Sequence, residues 1–466
     1  MFPFDKLHIE FANQKAFISN KGECKTYQEL NEFSIRMKPF LKERALVFAL
    51  CENTAGSLMG YYSFISNGVV PLLLDSGINR AFLDNLTEIY TPNYFWLPST
   101  LLSGFPDKEV LFSESGYSLI KIYSGEIEMH KDLALLLTTS GSTGSPKFVK
   151  LTYKNIIANA ESIAEYLNIN RQERPITVLP MHYSYGLSVI NSHLIKGATI
   201  LLSSNSITEK DFWTFLKTSG ATSISGVPYT YQILKRLRME RMDLPELKTM
   251  TQAGGKLSPE LVSEFADYTK KTNKRFFVMY GQTEATARMS YLPCDKALEK
   301  NKSIGIAIPG GKFSIIDTQG NNIDTPETAG ELIYQGDNVS MGYAETKKDL
   351  SAGDINSGIL HTGDLAMFDQ DGFYYLVGRL KRFVKIFGNR INLDRIEEIV
   401  KKMTPDCACT GTDDNIIIYL TDPDIKDEIK NSVSQKSGIH PSAIIVRIIH
   451  EIPKNTSGKI QYSQLQ

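Results

Sequence analysis

Short apolar runs bounded by turn residues alternate with stretches of helical period through most of the chain. Residues 45–51, 69–74 and 133–137 are apolar almost throughout, as strands buried on both faces are, whereas 82–90 has helical character. The rhythm repeats downstream, with strands predicted at 176–179, 198–202, 222–225 and 276–279 and helices near 209–218, 230–238 and 259–272. Residues 148–151 form one more short strand, and Thr152 is a plausible N-cap for a helix over 153–167. Such alternation predicts an α/β fold of layered subdomains around parallel sheets. After residue 300 the texture becomes β-rich, at 312–317, 330–335 and 373–376. Turns are expected at Thr318-Gln319-Gly320 and Asp369-Gln370-Asp371-Gly372, which together predict a small β-unit. Beyond Arg379 a basic segment leads into helices at 393–402 and 425–434 and a strand at 443–449, enough for a small α+β domain. The expected division is a large N-terminal domain over 1–380 and a C-terminal domain over 381–466.

Composition narrows the classes. The 466 residues carry 51 basic and 52 acidic side chains, so charge gives no reason to expect a nucleic acid or anionic membrane partner. The first residues lack a basic segment followed by an apolar run, and no apolar stretch approaches the ~20 residues of a membrane helix. The expectation is a cytoplasmic protein without membrane insertion. Its five cysteines are scattered, which suits a reducing compartment. Cys407 and Cys409 share one strand face and read as packing residues, and the dispersed histidines offer no transition-metal site.

Candidate chemistry concentrates first at 138–147, Thr-Thr-Ser-Gly-Ser-Thr-Gly-Ser-Pro-Lys. Glycines admit backbone N–H groups to an anion, hydroxyls donate to phosphate oxygens, and Lys147 offsets charge, so the loop suits a polyphosphate. It is not the P-loop of nucleotide triphosphatases. That pattern needs glycine where Pro146 stands and a hydroxyl where Phe148 stands, and a helix rather than a strand should follow. A flexible Ser/Gly linker fits the composition but not the position between two apolar strands.

The segment Ser140-Gly141-Ser142-Thr143-Gly144-Ser145-Pro146-Lys147 resembles the phosphate-binding loop of the AMP-forming adenylating enzymes, the superfamily of acyl-CoA synthetases, peptide-synthetase adenylation domains and beetle luciferases. Five further segments extend the resemblance in the family's order. Tyr280-Gly281-Gln282-Thr283-Glu284 follows a predicted strand and implies Tyr280 along adenine, Thr283 at the α-phosphate and Glu284 on Mg²⁺, whose hard oxygen preference it fits. Upstream, Ala253-Gly254-Gly255-Lys256 resembles the other wall of the adenine slot. Asp364 and Arg379 resemble the ribose-binding aspartate and its arginine partner, a carboxylate accepting from a cis-diol. Pro180-Met181-His182-Tyr183-Ser184 resembles the gate of the acid pocket, with Tyr183 beside the adenylate. Finally, Pro453-Lys454-Asn455-Thr456-Ser457-Gly458-Lys459 resembles the signature whose lysine enters the site, implying that Lys459 contacts the carboxylate and α-phosphate. Each short motif alone also has a plain structural reading, as a turn, a helix cap or core packing.

The resemblance implies activation of a carboxylic acid by ATP and Mg²⁺ as acyl-adenylate with release of pyrophosphate. Acyl transfer to a thiol follows, from CoA or the phosphopantetheine of a carrier protein. It also implies a mobile C-terminal domain hinged near Lys381, with Lys385 and Gly388 serving the second half-reaction. Phe148 departs from the family's glycine, and the stretch 404–414 is abbreviated. Ser184, Val227, Ala253 and Gly281 line the expected acid pocket, small or apolar in character. Ser184 lacks the negative charge that would hold an amino acid's ammonium, so an amino-acid-activating protein is less favoured. A stand-alone adenylating enzyme serving an amine or hydroxyl remains an alternative, as does a noncatalytic nucleotide binder.

Overall fold

A computed structural model describes residues 4, 6–138, 147–380, 382–386, 389–412, 415–454 and 460–465. The chain divides into two compact units. One contains Met1–Lys312 and Tyr334–Leu360, and the other contains Phe313–Ile333 and His361–Gln466.

The first unit is built on two large sheets. In the eight-stranded sheet, Leu133–Thr138, Val70–Asp75, Leu46–Cys51 and Tyr94–Pro98 lie side by side in parallel. Leu46, Phe48 and Leu50 face one buried cluster while Val47, Ala49 and Cys51 face another. Both faces are covered, so the run is apolar at every position rather than alternating. Leu133–Thr138 and Phe148–Thr152 pair antiparallel, so a strand and not a helix follows the predicted polyphosphate segment. Phe148 is fully buried, its ring 5.3 Å from that of Tyr90. A glycine there would leave a void, which gives the family departure a packing reason.

In the nine-stranded sheet, Ile200–Leu202, Pro175–Ile176, Ser223–Gly226, Thr249–Gln252 and Arg275–Tyr280 are neighbours in parallel. Ser290–Leu292 adds antiparallel beside Arg275–Tyr280, and Lys15–Ser19 adds parallel at the far side. The parallel expectation therefore holds at the centre of each sheet and fails toward the edges. The strand expected at 176–179 stops at Ile176. The following backbone is taken up by Asn53, whose amide donates to the Leu179 carbonyl and whose Oδ1 accepts from Met181 N–H.

Helix Tyr153–Tyr166 begins at a capping box in which Thr152 and Asn155 each accept the other's backbone N–H. Two helices, Ala55–Ser66 and Ser184–Leu194, gave no amphipathic signal, because nearly every residue of both is buried.

The second unit holds most of a four-stranded sheet, Lys312–Ile316, Gly330–Gln335, Ile359–Phe368 and Tyr374–Arg379 in that order, and a C-terminal α+β layer. There Cys407–Thr412 pairs antiparallel with Asn415–Leu420, which pairs parallel with Ile444–Ile448. Helices Leu393–Lys401 and Lys426–Ser437 contribute Ile396, Val400, Ile429 and Val433 to the core between them. Cys407 and Cys409 point into that core, and burial pushes the Cys407 thiol up to about 12, so both are packing residues as expected. All five cysteines are free. Among the described residues no helix is long and apolar enough to cross a membrane.

Candidate active site

The strand Arg275–Tyr280 runs into a tight return in which Thr283–Ala285 forms one 3₁₀ turn. Thr286 and Ala287 then take φ of 59° and 111°, values costly for residues with a side chain. What holds them is Asn338, buried, whose amide donates to the Ala285 and Arg288 carbonyls while its backbone carbonyl accepts from the Thr286 hydroxyl. The return projects Thr283 and Glu284. The Thr283 hydroxyl lies 3.0 Å from that of Ser184, at the start of helix Ser184–Leu194.

The Glu284 carboxylate accepts from the Tyr343 hydroxyl at 2.7 Å. Lys147, the last residue of the predicted polyphosphate loop, places its ammonium 3.7 Å from the centroid of the same tyrosine ring and 3.6 Å from Glu345. Tyr343 thus joins a residue predicted for phosphate to the residue predicted for metal. Burial and the Glu284 charge push its hydroxyl well above the ordinary tyrosine range, so it stays a donor to that carboxylate. The second Glu284 oxygen has no hydrogen-bond partner among the described residues. A lone carboxylate oxygen of this kind suits a Mg²⁺ ion completed by phosphates and water. No group of three or more potential metal ligands occurs among the described residues.

Gly254, at φ 82°, lets Tyr183 approach: a Cβ there would fall 2.6 Å from the Tyr183 hydroxyl oxygen and 3.0 Å from Val227. Tyr183, Val227 and Ala253 belong to one apolar cluster with Tyr185, Val189, Met279 and Tyr166. Hydroxyl groups interrupt that cluster, since Tyr185 and Ser225 each lie 2.8 Å from the Thr251 hydroxyl. Gly255 and Lys256 are exposed, and the Tyr280 hydroxyl accepts from Gln282 at 3.2 Å. Tyr183, Ser184, Val227, Ala253, Gly254, Gly281, Thr283, Glu284 and Lys147 therefore all lie in the first unit.

In the second unit, Asp364 and Arg379 stand opposite each other in the ladder between Ile359–Phe368 and Tyr374–Arg379. The Arg379 Nε donates to the buried Asp364 carboxylate at 3.0 Å. Lys385 pairs with Arg390 in a two-stranded ladder. The expected phosphate-loop residues Thr139, Ser140, Gly141, Ser142, Thr143 and Gly144, the hinge Lys381, Gly388 and Lys459 lie outside the described residues.

Sequence reasoning missed Tyr343, Asn338, Asn53 and Arg288. The Arg288 guanidinium, 1% exposed, donates from Nε to the Ser188 hydroxyl at 3.2 Å and from Nη1 to the Tyr166 hydroxyl at 3.0 Å. His193, on the same helix as Ser188, is lowered to about 4 by burial, against a hydrogen bond to the Val189 carbonyl that acts the other way. The unfolded chain takes up a proton below about pH 6.5, and the folded protein does so only near pH 4. Stability attributable to this residue is therefore constant above about pH 6.5, falls by about 1.4 kcal/mol per pH unit below it, and levels off below the folded value. Between pH 7 and 5 the wild type is expected to lose about 2 kcal/mol more than His193→Gln in urea unfolding; equal losses would contradict it.

The family pattern described as AMP-binding enzyme matches residues 100–344. Oxalate–CoA ligase of Arabidopsis thaliana is 26% identical over 458 residues, covering 94% of this chain and 86% of that protein. Luciferin 4-monooxygenase of Photuris pensylvanica is 28% identical over 355 residues, covering 72% of this chain and 63% of that protein. Long-chain-fatty-acid–CoA ligase of Escherichia coli O157:H7 is 28% identical over 352 residues, covering 72% and 62%. The chain thus matches less than two thirds of the length of the latter two. Among solved structures, o-succinylbenzoate CoA synthetase from Bacillus subtilis with its acyl-adenylate intermediate superposes at a TM-score of 0.81. It is 22% identical and covers 100% of this chain and 97% of that one. ATP-bound MatB from Rhodopseudomonas palustris gives 0.79 at 20% identity, covering 100% and 98%. At such identities the likeness is one of fold.

Proposed function

Because the chain belongs to the AMP-binding enzyme family, we propose that it is an AMP-forming acid–thiol ligase. A carboxylate oxygen of the acid attacks the α-phosphorus of ATP and the bond to pyrophosphate breaks. The thiol sulfur of CoA, after losing its proton, then attacks the acyl carbon and AMP leaves. The observation that carries this reading is the string Lys147, Tyr343, Glu284 beside the Thr283 and Ser184 hydroxyl pair. It supports the reading because the side chains proposed for polyphosphate and metal meet around one tyrosine, next in sequence to the threonine proposed for the α-phosphate.

The residues take the following roles. Lys147 and the hydroxyls of Thr139, Ser140, Ser142 and Thr143, with Gly141 and Gly144 admitting backbone N–H groups, receive the departing pyrophosphate. Thr283 donates to an α-phosphate oxygen. Glu284, oriented by Tyr343, would hold Mg²⁺, which when bound offsets phosphate charge. Tyr183, Gly254, Gly255, Lys256 and Tyr280 bound the adenylate, and Asp364 accepts the ribose hydroxyls with Arg379 beside it. Lys459 meets the attacking carboxylate and the α-phosphate, two anions that repel by about 4 kcal/mol at ~4 Å and an effective dielectric of 20. Residues 381–466 then reorient at Lys381 so that Lys385 and Gly388 replace Lys459 for thiol transfer. The phosphopantetheine of a carrier protein presents the same thiol as CoA, and the five free cysteines suit a cytoplasmic setting.

ATP–pyrophosphate exchange across a panel of carboxylic acids tests the first step, and product formation on adding CoA, or a carrier instead, tests the second. Lys459→Ala is expected to slow exchange about 100- to 1,000-fold while leaving thioester formation from preformed adenylate nearly intact. Equal loss of both steps would refute the division of labour, and absence of exchange with every acid would refute adenylation.

A further inference from the structure

Arg288 is as deeply buried as any charged side chain described, yet no carboxylate among the described residues answers it. Its partners are neutral: the Ser188 hydroxyl at Nε, the Tyr166 hydroxyl and the Met279 sulfur at Nη1, and the face of Tyr185 with its centroid 4.9 Å away. Its Nη2 donates to no described residue. Arg382 in the second unit shows the contrast, since its guanidinium binds the carboxylates of both Asp394 and Glu397. Burying a guanidinium among neutral groups is costly, and a purely structural role would be served as well by an apolar side chain of similar volume.

Its location gives the charge a use. Ser184, hydrogen-bonded to Thr283, and Ser188, hydrogen-bonded to Arg288, are four residues apart on one face of helix Ser184–Leu194. Arg288 therefore stands one helical step, ~6 Å along the axis, from the hydroxyl pair assigned to the α-phosphate. It does so against Tyr166, Met279 and Tyr185 of the cluster to which Tyr183, Val227 and Ala253 also belong. A planar fork with unused donors is matched to a carboxylate.

We infer that Arg288 is the specificity-determining residue of the acid pocket and that the substrate is a short dicarboxylic acid, one carboxylate attacking ATP while the other is held by Arg288. This rests on the adenylation reading above. The second carboxylate supplies the counter-charge that the described residues lack, and a matched monocarboxylate would leave the guanidinium without one.

The test is pyrophosphate exchange with matched pairs: succinate against butyrate, adipate against hexanoate, phthalate against benzoate. The wild type is expected to favour at least one diacid over its monoacid by about 100-fold or more in kcat/KM. Arg288→Met should erase that preference while keeping or improving exchange with the monoacid, and Arg288→Lys, with charge but no fork, should fall between. Wild-type exchange with monoacids equal to or better than with diacids would overturn the inference alone, leaving adenylation intact, and this comparison decides even if Arg288→Met fails to fold. An unchanged preference in a folded Arg288→Met would also overturn it. No exchange with any acid would overturn the adenylation reading, and this inference with it.

Discussion

Gly281→Ala is expected to lower pyrophosphate exchange by at least about 100-fold, the scale of loss when reacting groups are displaced by ~1 Å. A Cβ at Gly281 would lie 1.8 Å from the Ala287 carbonyl oxygen and 2.8 Å from the Arg288 Cα. Neither neighbour is the end of a flexible side chain. Both are backbone, fixed from the other side by Asn338 and by Asn159, whose amide donates to the Arg288 carbonyl at 3.0 Å. Relief must come from moving the return itself, and with it Thr283, Glu284 and Arg288. Overpacking of this kind also costs about 1–3 kcal/mol of stability. Exchange kinetics and calorimetric unfolding on the same preparation check both effects, and a Gly281→Ala enzyme with wild-type exchange would show that this backbone approach does not position the site.

Glu397→Ala is expected to destabilise the second unit by about 3–5 kcal/mol, the range for removing one member of a buried charge cluster. Glu397 is 4% exposed and accepts from Arg382 at 3.0 Å, Lys401 at 2.6 Å, the Tyr462 hydroxyl at 3.0 Å and the Cys409 backbone N–H at 3.1 Å. Burial disfavours the Arg382 and Lys401 charges, but Glu397 and its neighbours outweigh it and hold both above their ordinary values. Without the carboxylate, Arg382 keeps only Asp394, and the Tyr462 hydroxyl and the buried Cys409 N–H lose their acceptor, while the exposed Lys401 turns to solvent. Arg382 follows Lys381 directly and Tyr462 stands three residues after Lys459, so the cluster anchors both chain segments to which moving roles are assigned. Calorimetry of the full chain should show a separate transition at lower temperature, milder in Glu397→Gln. A single transition at the wild-type temperature would refute this.

Legibility differed from residue to residue for physical reasons. Leu46 to Leu50, Val70 to Leu74 and Leu133 to Leu137 were readable because a strand covered on both faces must be apolar at each position. Helix Ser184–Leu194 was not, since full burial removes the polar face on which helical period depends. Thr283, Glu284 and Ser184 could be named from local motifs, and their convergence in one unit followed. Tyr343 could not, because nothing near it in sequence marks a tyrosine whose hydroxyl meets Glu284 and whose ring meets Lys147.

Local pattern along the chain was enough to give the alternation of strands and helices, the small C-terminal α+β layer and the types of group proposed for phosphate, metal and ribose. These depend on local spacing and on burial pattern, which a linear chain records. Folding alone brings Asn338 to the strained return, sets Tyr343 between Lys147 and Glu284, and buries Arg288 without a counter-charge among the described residues. Each is a relation between side chains whose sequence separation carries no trace of their distance. Charge, moreover, acquires its meaning only from the dielectric and the partners that folding places around it.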